Sequence, residues 1–178
     1  AELFVPRIQF VAVDKDIILA ANRSLIKKDE QNLPIYIFNS SNNSWFLSTQ
    51  LKLPSPSEIN FNIAAIALKK DIAIFAVPRK VYVYRRQPNT NKWFYETQLK
   101  KTGKNIAIDS NTIIIGGGKS AYIFVRDLHT GDWLEQAELS PMTKDDKSFT
   151  NVAISGNTAV VGRPEIQSKR GAVDVYER

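Results

Sequence analysis

The chain has 178 residues, 43% hydrophobic and 24% charged, with 24 Lys and Arg against 18 Asp and Glu for a formal net charge of +6, and no cysteine. This is the composition of a folded globular chain and not of a disordered tail, and it excludes disulfides, thiolate metal sites and cysteine nucleophiles while leaving the compartment open. No apolar run approaches the ~20 residues of a bilayer-spanning helix, and the opening AELFVPRIQF lacks the basic and apolar regions of a signal peptide.

In chain order the predicted elements fall into four similar units. Unit one opens with a short strand A, VAV at Val11, turns through Asp14-Lys15-Asp16 and enters an apolar strand B, IILAA. A long connection, ANRSLIKKDEQNLP from Ala21 to Pro34, leads to strand C, IYIF at Ile35, and then to strand D, WFLSTQL from Trp45. Unit two repeats the series as IAL at Ile66, Lys69-Lys70-Asp71, IAIFAV, VYVY at Val81 and WFYETQL from Trp93. Unit three reads IAI at Ile106, Asp109-Ser110-Asn111, TIIIG, AYIF at Ala121 and WLEQAEL from Trp133. Unit four reads VAI at Val152, Ser155-Gly156-Asn157, TAVVG and VDVY at Val173, and has no strand D before Arg178. Branched apolar runs bounded by turn residues read as strands, and nothing has the period of a helix.

In each strand D, Trp precedes Leu by six residues, and the steps between Trp45, Trp93 and Trp133 are 48 and 40 residues. A four-stranded propeller blade is about 40 to 50 residues long. The expectation is an all-β, single-domain β-propeller over 1–178, with blades at about 8–51, 61–99, 104–139 and 149–178 plus 1–4. Every strand A has a central alanine, Ala12, Ala67, Ala107 and Ala153, which reads as packing at a crowded axis. The recurrent Trp residues read as packing between blades. Ala1-Glu2-Leu3 matches Ala137-Glu138-Leu139, so the N-terminal strand is expected to complete the last blade and close a four-bladed ring. Closure is expected because open edge strands invite aggregation, and the alternative is a section of a larger ring. On this alignment the matching Trp would fall three residues before Ala1, which points to a natural chain that starts earlier.

The fourth unit, FTNVAISGNTAVVGRPEIQSKRGAVDVYER from Phe149 to Arg178, resembles the bacterial form of the FG-GAP repeat of integrin-type and bacterial β-propellers. The GAP element stands at Gly162-Arg163-Pro164 and, in degenerate form, at Ala76-Val77-Pro78, Gly116-Gly117-Gly118 and Ala20-Ala21-Asn22. The glycine of the FG element is missing, with Thr150 after Phe149 and Asn62 after Phe61. The resemblance implies a propeller in an extracellular or periplasmic setting. Integrin-type members bind calcium through an acidic loop in the A–B turn. Here Asp14 and Asp16 flank a lysine, which leaves too few oxygens for an ion that takes about six to eight, so no calcium and no other metal or cofactor is expected.

Catalytic signals are sparse, and no enzyme is expected. The only histidine, His129, lies in RDLHTGDW beside Asp127 and Asp132 and reads as a solvated turn residue. Gly116-Gly117-Gly118-Lys119-Ser120 has Ile113 where a phosphate loop needs glycine, and it leads into a strand and not a helix. The N-x-S/T triplets at Asn22, Asn39 and Asn42 are short enough to arise by chance. Asp174 stands where units one to three have Tyr36, Tyr82 and Tyr122. It reads either as a carboxylate reaching solvent or a neighbouring lysine, or as a polar anchor in a binding cleft.

Charge is the most informative functional feature. In a meander the B–C and D–A connections emerge at one rim and the A–B and C–D turns at the other. The B–C connections carry Arg23, Lys27, Lys28, Arg79, Lys80, Lys119, Arg163, Lys169 and Arg170, and the D–A connections Arg7, Lys52, Lys100, Lys101, Lys104, Lys144 and Lys147. With six acidic residues among these sixteen cations the rim sums to +10, and the remaining eight basic and twelve acidic residues sum to −4. Such a surface steers an anionic partner toward one face. The expected function is a non-catalytic module that binds an acidic protein surface or another polyanion, with the long connection containing Leu25 and Ile26 as the loop expected to touch the partner. Nucleic acid is left only the backbone-contact mode, because the aromatics do not interleave with the basic loops. A carbohydrate-binding propeller is the rival; it needs aromatic platforms in the loops, which are few. The residues do not speak to oligomeric state.

Overall fold

The computed structural model describes residues 8–22, 32–41, 44–52, 62–101, 103–140, 151–164 and 171–178. These form fifteen strands and no helix: β1 (Ile8–Asp14), β2 (Ile17–Asn22), β3 (Asn32–Ser41), β4 (Ser44–Lys52), β5 (Ala65–Lys69), β6 (Ile72–Val77), β7 (Lys80–Arg86), β8 (Trp93–Leu99), β9 (Asn105–Asp109), β10 (Thr112–Gly116), β11 (Ala121–Arg126), β12 (Trp133–Leu139), β13 (Val152–Ser155), β14 (Thr158–Arg163) and β15 (Ala172–Glu177). They pair antiparallel, strictly in chain order, into four sheets of similar size, β1–β4, β5–β8, β9–β12 and β13–β15. The all-β repeat expected from sequence is therefore present. Residues 1–7 lie outside the described residues, and with them the strand expected to complete the last sheet.

The repeat extends to backbone detail. Pairing of Asp14 with Ile17, Lys69 with Ile72, Asp109 with Thr112 and Ser155 with Thr158 leaves a two-residue turn between the first two strands of every sheet. The first turn residue has positive φ each time: 51° at Lys15, 50° at Lys70, 53° at Ser110 and 55° at Gly156. A bulge interrupts the pairing of third and fourth strands at one repeat position, between Ile37 and Phe38, Val83 and Tyr84, and Ile123 and Phe124. An extra residue there bends the outer strand and raises its twist. Counted from the turns, Ala21 takes the place of Ala76, Gly116 and Gly162, so the GAP frame of unit one sits one residue later than the sequence comparison placed it.

Side chains alternate across each sheet, and this alternation builds the junctions. The central alanine of a first strand faces the following sheet, while its branched neighbours face the preceding one. Ala12 thus packs into a core shared with Leu68, Phe75, Tyr82 and Tyr84 of the second sheet. Ala67 packs into a core with Ile106, Ile108, Ile113 and Ile115 of the third. Ala107 lies with Val152, Ile154 and Val161 of the fourth. Trp93 and Trp133 pack onto the sheets before them, as expected, whereas Trp45 belongs to the first sheet, which has none before it. First strands pack in series, β1 on β5, β5 on β9 and β9 on β13, and among the described residues β1 and β13 share no packing of that extent.

The ends of the first strands are tied across the junctions. Asp14 Oδ2 accepts the Lys70 backbone N–H at 2.7 Å, and Asp109 Oδ2 accepts that of Gly156 at 2.7 Å. Lys69 Nζ lies 3.3 Å from Asp109 Oδ1. The Gly156 hydrogen bond, with help from Lys69 and against partial burial, holds the Asp109 carboxyl below its ordinary value of 3.8. A depressed folded pKa stabilises the fold above the unfolded value, and that contribution is lost as pH falls through the folded value. Asp109→Asn is therefore expected to destabilise at neutral pH, with the gap to wild type in urea unfolding closing below pH 3.8. Gly156 has open space around its Cβ position, so Gly156→Ala isolates the cost of positive φ. It is expected to lose about 1 kcal/mol, with Ser110→Gly neutral to stabilising in the same assay.

Candidate binding rim

The ties between Asp14 and Lys70 and between Asp109 and Gly156 join first-to-second-strand turns of neighbouring sheets. They place these turns along one rim. The second-to-third-strand turns and the connections between sheets accordingly share the opposite rim, where the cations of interest were expected. Arg79 is exposed there in a tight turn, at φ 69°, and Lys100, Lys104 and Lys119 are exposed in neighbouring connections. Lys52 is exposed at the end of β4, while Lys80 opens β7 half-buried and engaged with a neighbour. Arg23, Lys27, Lys28, Lys169 and Arg170 lie outside the described residues, as do Leu25 and Ile26 of the long connection.

Two of these cations are brought together by glycine. Lys104 N–H donates to the Gly116 carbonyl at 2.8 Å, and a Cβ on Gly117, whose φ is 119°, would come within 2.4 Å of Lys104 N. The segment that superficially resembles a phosphate loop is thus a close approach of two backbones, and it sets the Lys119 turn against Lys104. Nearby, Lys101 is occupied: its Nζ is 3.0 Å from Glu135 Oε1 and 3.7 Å from the centre of the Tyr122 ring. A hydrogen bond from Ser120 holds the exposed Glu138 carboxyl below its usual range, opposed by some desolvation and aided by Tyr122 and Lys101.

Arg163 is not an exposed rim cation. It is buried, and its Nη2 lies 2.5 Å from Oδ1 of Asp174, itself buried. The reason lies in the repeat. Arg163 and Asp174 stand at the places of Val77 and Tyr82, which pack in the core between the first two sheets. The fourth unit has replaced an apolar pair by an ion pair, and neither group reaches solvent. Tyr176 stands over Asp174 with a long 3.5 Å contact, and burial followed by the Asp174 charge pushes its phenol up.

Sequence reasoning missed Glu96. From β8 it accepts Arg126 Nη2 at 2.9 Å and Arg126 Nε at 3.1 Å, accepts Trp133 Nε1 at 3.1 Å, and pairs with Arg85 Nε at 3.1 Å. It clamps the second sheet to the third. Tyr84 similarly ties the first two sheets by donating to the Lys52 carbonyl at 2.5 Å, and burial, with Tyr95 adding to it, raises its pKa. His129 is exposed, in a turn organised by Asp127, whose Oδ1 accepts the His129 N–H at 2.7 Å and that of Thr130 at 3.2 Å. Among the described residues no three His, Asp or Glu side chains cluster to hold a metal, and no helix is long and apolar enough to cross a membrane.

These features define an all-β protein of four successive antiparallel meanders of similar size. No protein-family model matches the chain, and no curated protein does. Solved structures share the fold. The chain is similar to the computationally designed Ika4 protein, at 17% identity and a TM-score of 0.60, over 99% of this chain and 94% of that one. It is also similar to the computationally designed Ika8 protein, at 14% identity and a TM-score of 0.58, over 98% of this chain but only 46% of that one. The chain therefore spans less than half of the second structure. At these identities the likeness is one of fold alone.

The Arg163–Asp174 pair can be tested by a cycle. Asp174→Leu, which leaves a guanidinium buried beside an apolar group, is expected to cost about 3–5 kcal/mol in denaturant unfolding. Arg163→Val combined with Asp174→Tyr, which installs the second unit's pair, is expected to recover most of that loss.

Proposed function

We propose that the four sheets are successive blades of a degenerate FG-GAP-like β-propeller, and that the protein is a non-catalytic, extracytoplasmic interaction module. It takes an acidic protein surface or another polyanion on the rim of its second-to-third-strand turns and inter-sheet connections. One observation carries the reading. Among the described residues, the connections on this rim hold Arg79, Lys100, Lys101, Lys104 and Lys119 and no Asp or Glu, while the turns of the opposite rim balance Asp16, Asp71, Asp127 and Asp132 against Lys15, Lys70 and Lys92. Like charges held together by backbone geometry, as at Lys104 and Lys119, create a field that favours a multivalent anion. Among the described residues the exposed aromatics Phe46, Phe94 and Tyr95 lie on fourth strands and not in the rim connections, which does not favour a sugar ring stacking on the described part of that rim.

The combined reversal Arg79→Glu, Lys104→Glu and Lys119→Glu is expected to weaken retention on a sulfated polysaccharide roughly tenfold or more at low salt, and to flatten its salt dependence. Asp132→Lys on the opposite rim serves as control and leaves retention unchanged. Equal binding by the triple variant, or binding indifferent to salt, would sink the reading.

A further inference from the structure

The junction between neighbouring sheets is made three times within the chain, and both of its halves are left uncovered at the ends of the series. On the first sheet Val11 and Val13 are 70% and 66% exposed. The equivalent positions in the next two sheets are packed: Ile66 of β5 is half-buried against the first core and Leu68 is 7% exposed, and Ile106 and Ile108 of β9 are 8% and 9% exposed. With Ile8, Ile18, Ala20 and Phe38 the two valines line a depression of about 630 Å³ that, among the described residues, is lined by no charged side chain. On the fourth sheet Val173 and Val175 are 65% and 58% exposed, although their counterparts Val81 and Val83 are fully buried at 0%. Ala153 is exposed with them, at the position where Ala12, Ala67 and Ala107 each meet a following sheet.

We infer that a second copy of this chain covers both faces: the fourth sheet of each copy packs on the first sheet of the other, and two identical head-to-tail junctions close a two-fold ring of eight sheets. The inference rests on the radial arrangement of sheets proposed above, and not on any ligand. The occupant follows from shape. A face built like that of the first sheet is met, three times in this molecule, by a face built like that of the fourth, small alanine against branched side chain. Within one copy the two faces are not packed on each other among the described residues, so the fit is available to a partner. The polar tie is provided for as well. Asp14 and Asp109 accept the backbone N–H of the following turn at internal junctions, and at the new junction the Ser155 hydroxyl stands in the acceptor's place and the Lys15 N–H in the donor's. Two copies are the smallest number whose head-to-tail junctions can close a ring. A head-to-tail contact must close or it propagates into filaments.

Light scattering coupled to size-exclusion chromatography over a dilution series tests this. Wild type is expected at twice the 20.1 kDa chain mass, falling to one copy on dilution. Val13→Lys and Val175→Lys are each expected to halve the mass, with the β-sheet circular dichroism unchanged because both positions are exposed in a single copy. Mixed together, the two variants keep one intact junction and associate more weakly than wild type but more tightly than either alone. A dimer that responds to only one of the two substitutions would show like faces in contact and overturn the head-to-tail arrangement. A wild-type mass of one copy at every concentration overturns the proposal in favour of closure within the chain or by an added segment, and a ladder of higher masses overturns the closed ring. Should either variant misfold, Val11→Lys and Val173→Lys test the same two faces. Retention of the monomeric variants on a sulfated polysaccharide separates failure here from failure of the rim reading.

Discussion

The close approach of successive first strands is the constraint on which the rest of the structure depends. Two sheets can meet there only if one offers a small residue where the other offers a branched one, and the strand period of two lets one segment do both. Ala67 faces the third sheet while Leu68 faces the first. A slip of one residue in the β5–β6 pairing would send each to the wrong neighbour. The second strands are sealed by the same arrangement: every residue of β6 is buried, since the second sheet is covered on both faces, whereas β14 alternates. Burial thus records a sheet's place in the series as much as its sequence.

Apolar complementarity alone would let any sheet dock on any other, and the polar contacts remove that freedom. The first junction has Asp14 on Lys70 N–H and the Tyr84 hydroxyl on the Lys52 carbonyl. The second has the Glu96 clamp and the Lys69–Asp109 pair. The third has Asp109 on Gly156 N–H, with the Arg163–Asp174 pair at the opposite end of the last sheet. Glu96 has Ser48 as its counterpart in β4, so Trp93 finds no carboxylate where Trp133 does. A sheet docked out of order would bury a charge without its partner, which costs more than a well-made buried pair returns.

How much of this the sequence disclosed depends on whether a feature is local. Strands, turns and the four-fold repeat were legible because branched runs, two-residue turns and a recurrent Trp–Leu spacing are properties of short segments. The roles of the central alanines and of Trp93 and Trp133 were legible because repetition marks packing. Arg163 was misplaced among exposed cations because residue type predicts exposure only on average. Its partner lies eleven residues away across β14 and β15, and only strand register shows that Arg163 and Asp174 replaced an apolar pair together. Glu96 carried no signal at all, since its donors come from β11 and β12, in the next sheet. The frame of unit one slipped for a related reason: in Ala20-Ala21-Asn22 composition cannot tell which alanine holds the repeat position, and the paired turn can.

The division of labour between sheet faces and rim has one further consequence. Junctions consume the faces and leave the connections free, except where Gly117 lets two of them touch at Lys104. Charge can therefore accumulate on one rim without disturbing the packing that holds the sheets together. Head-to-tail association keeps this polarity, because copies related by rotation about the ring axis present the same rim on the same side. The ring of two copies proposed here would bring the rim of Arg79, Lys104 and Lys119 from both copies to one face and the first-to-second-strand turns to the other. Self-association would then strengthen the field that draws an anionic partner, in contrast to a face-to-face dimer, which would turn one rim away.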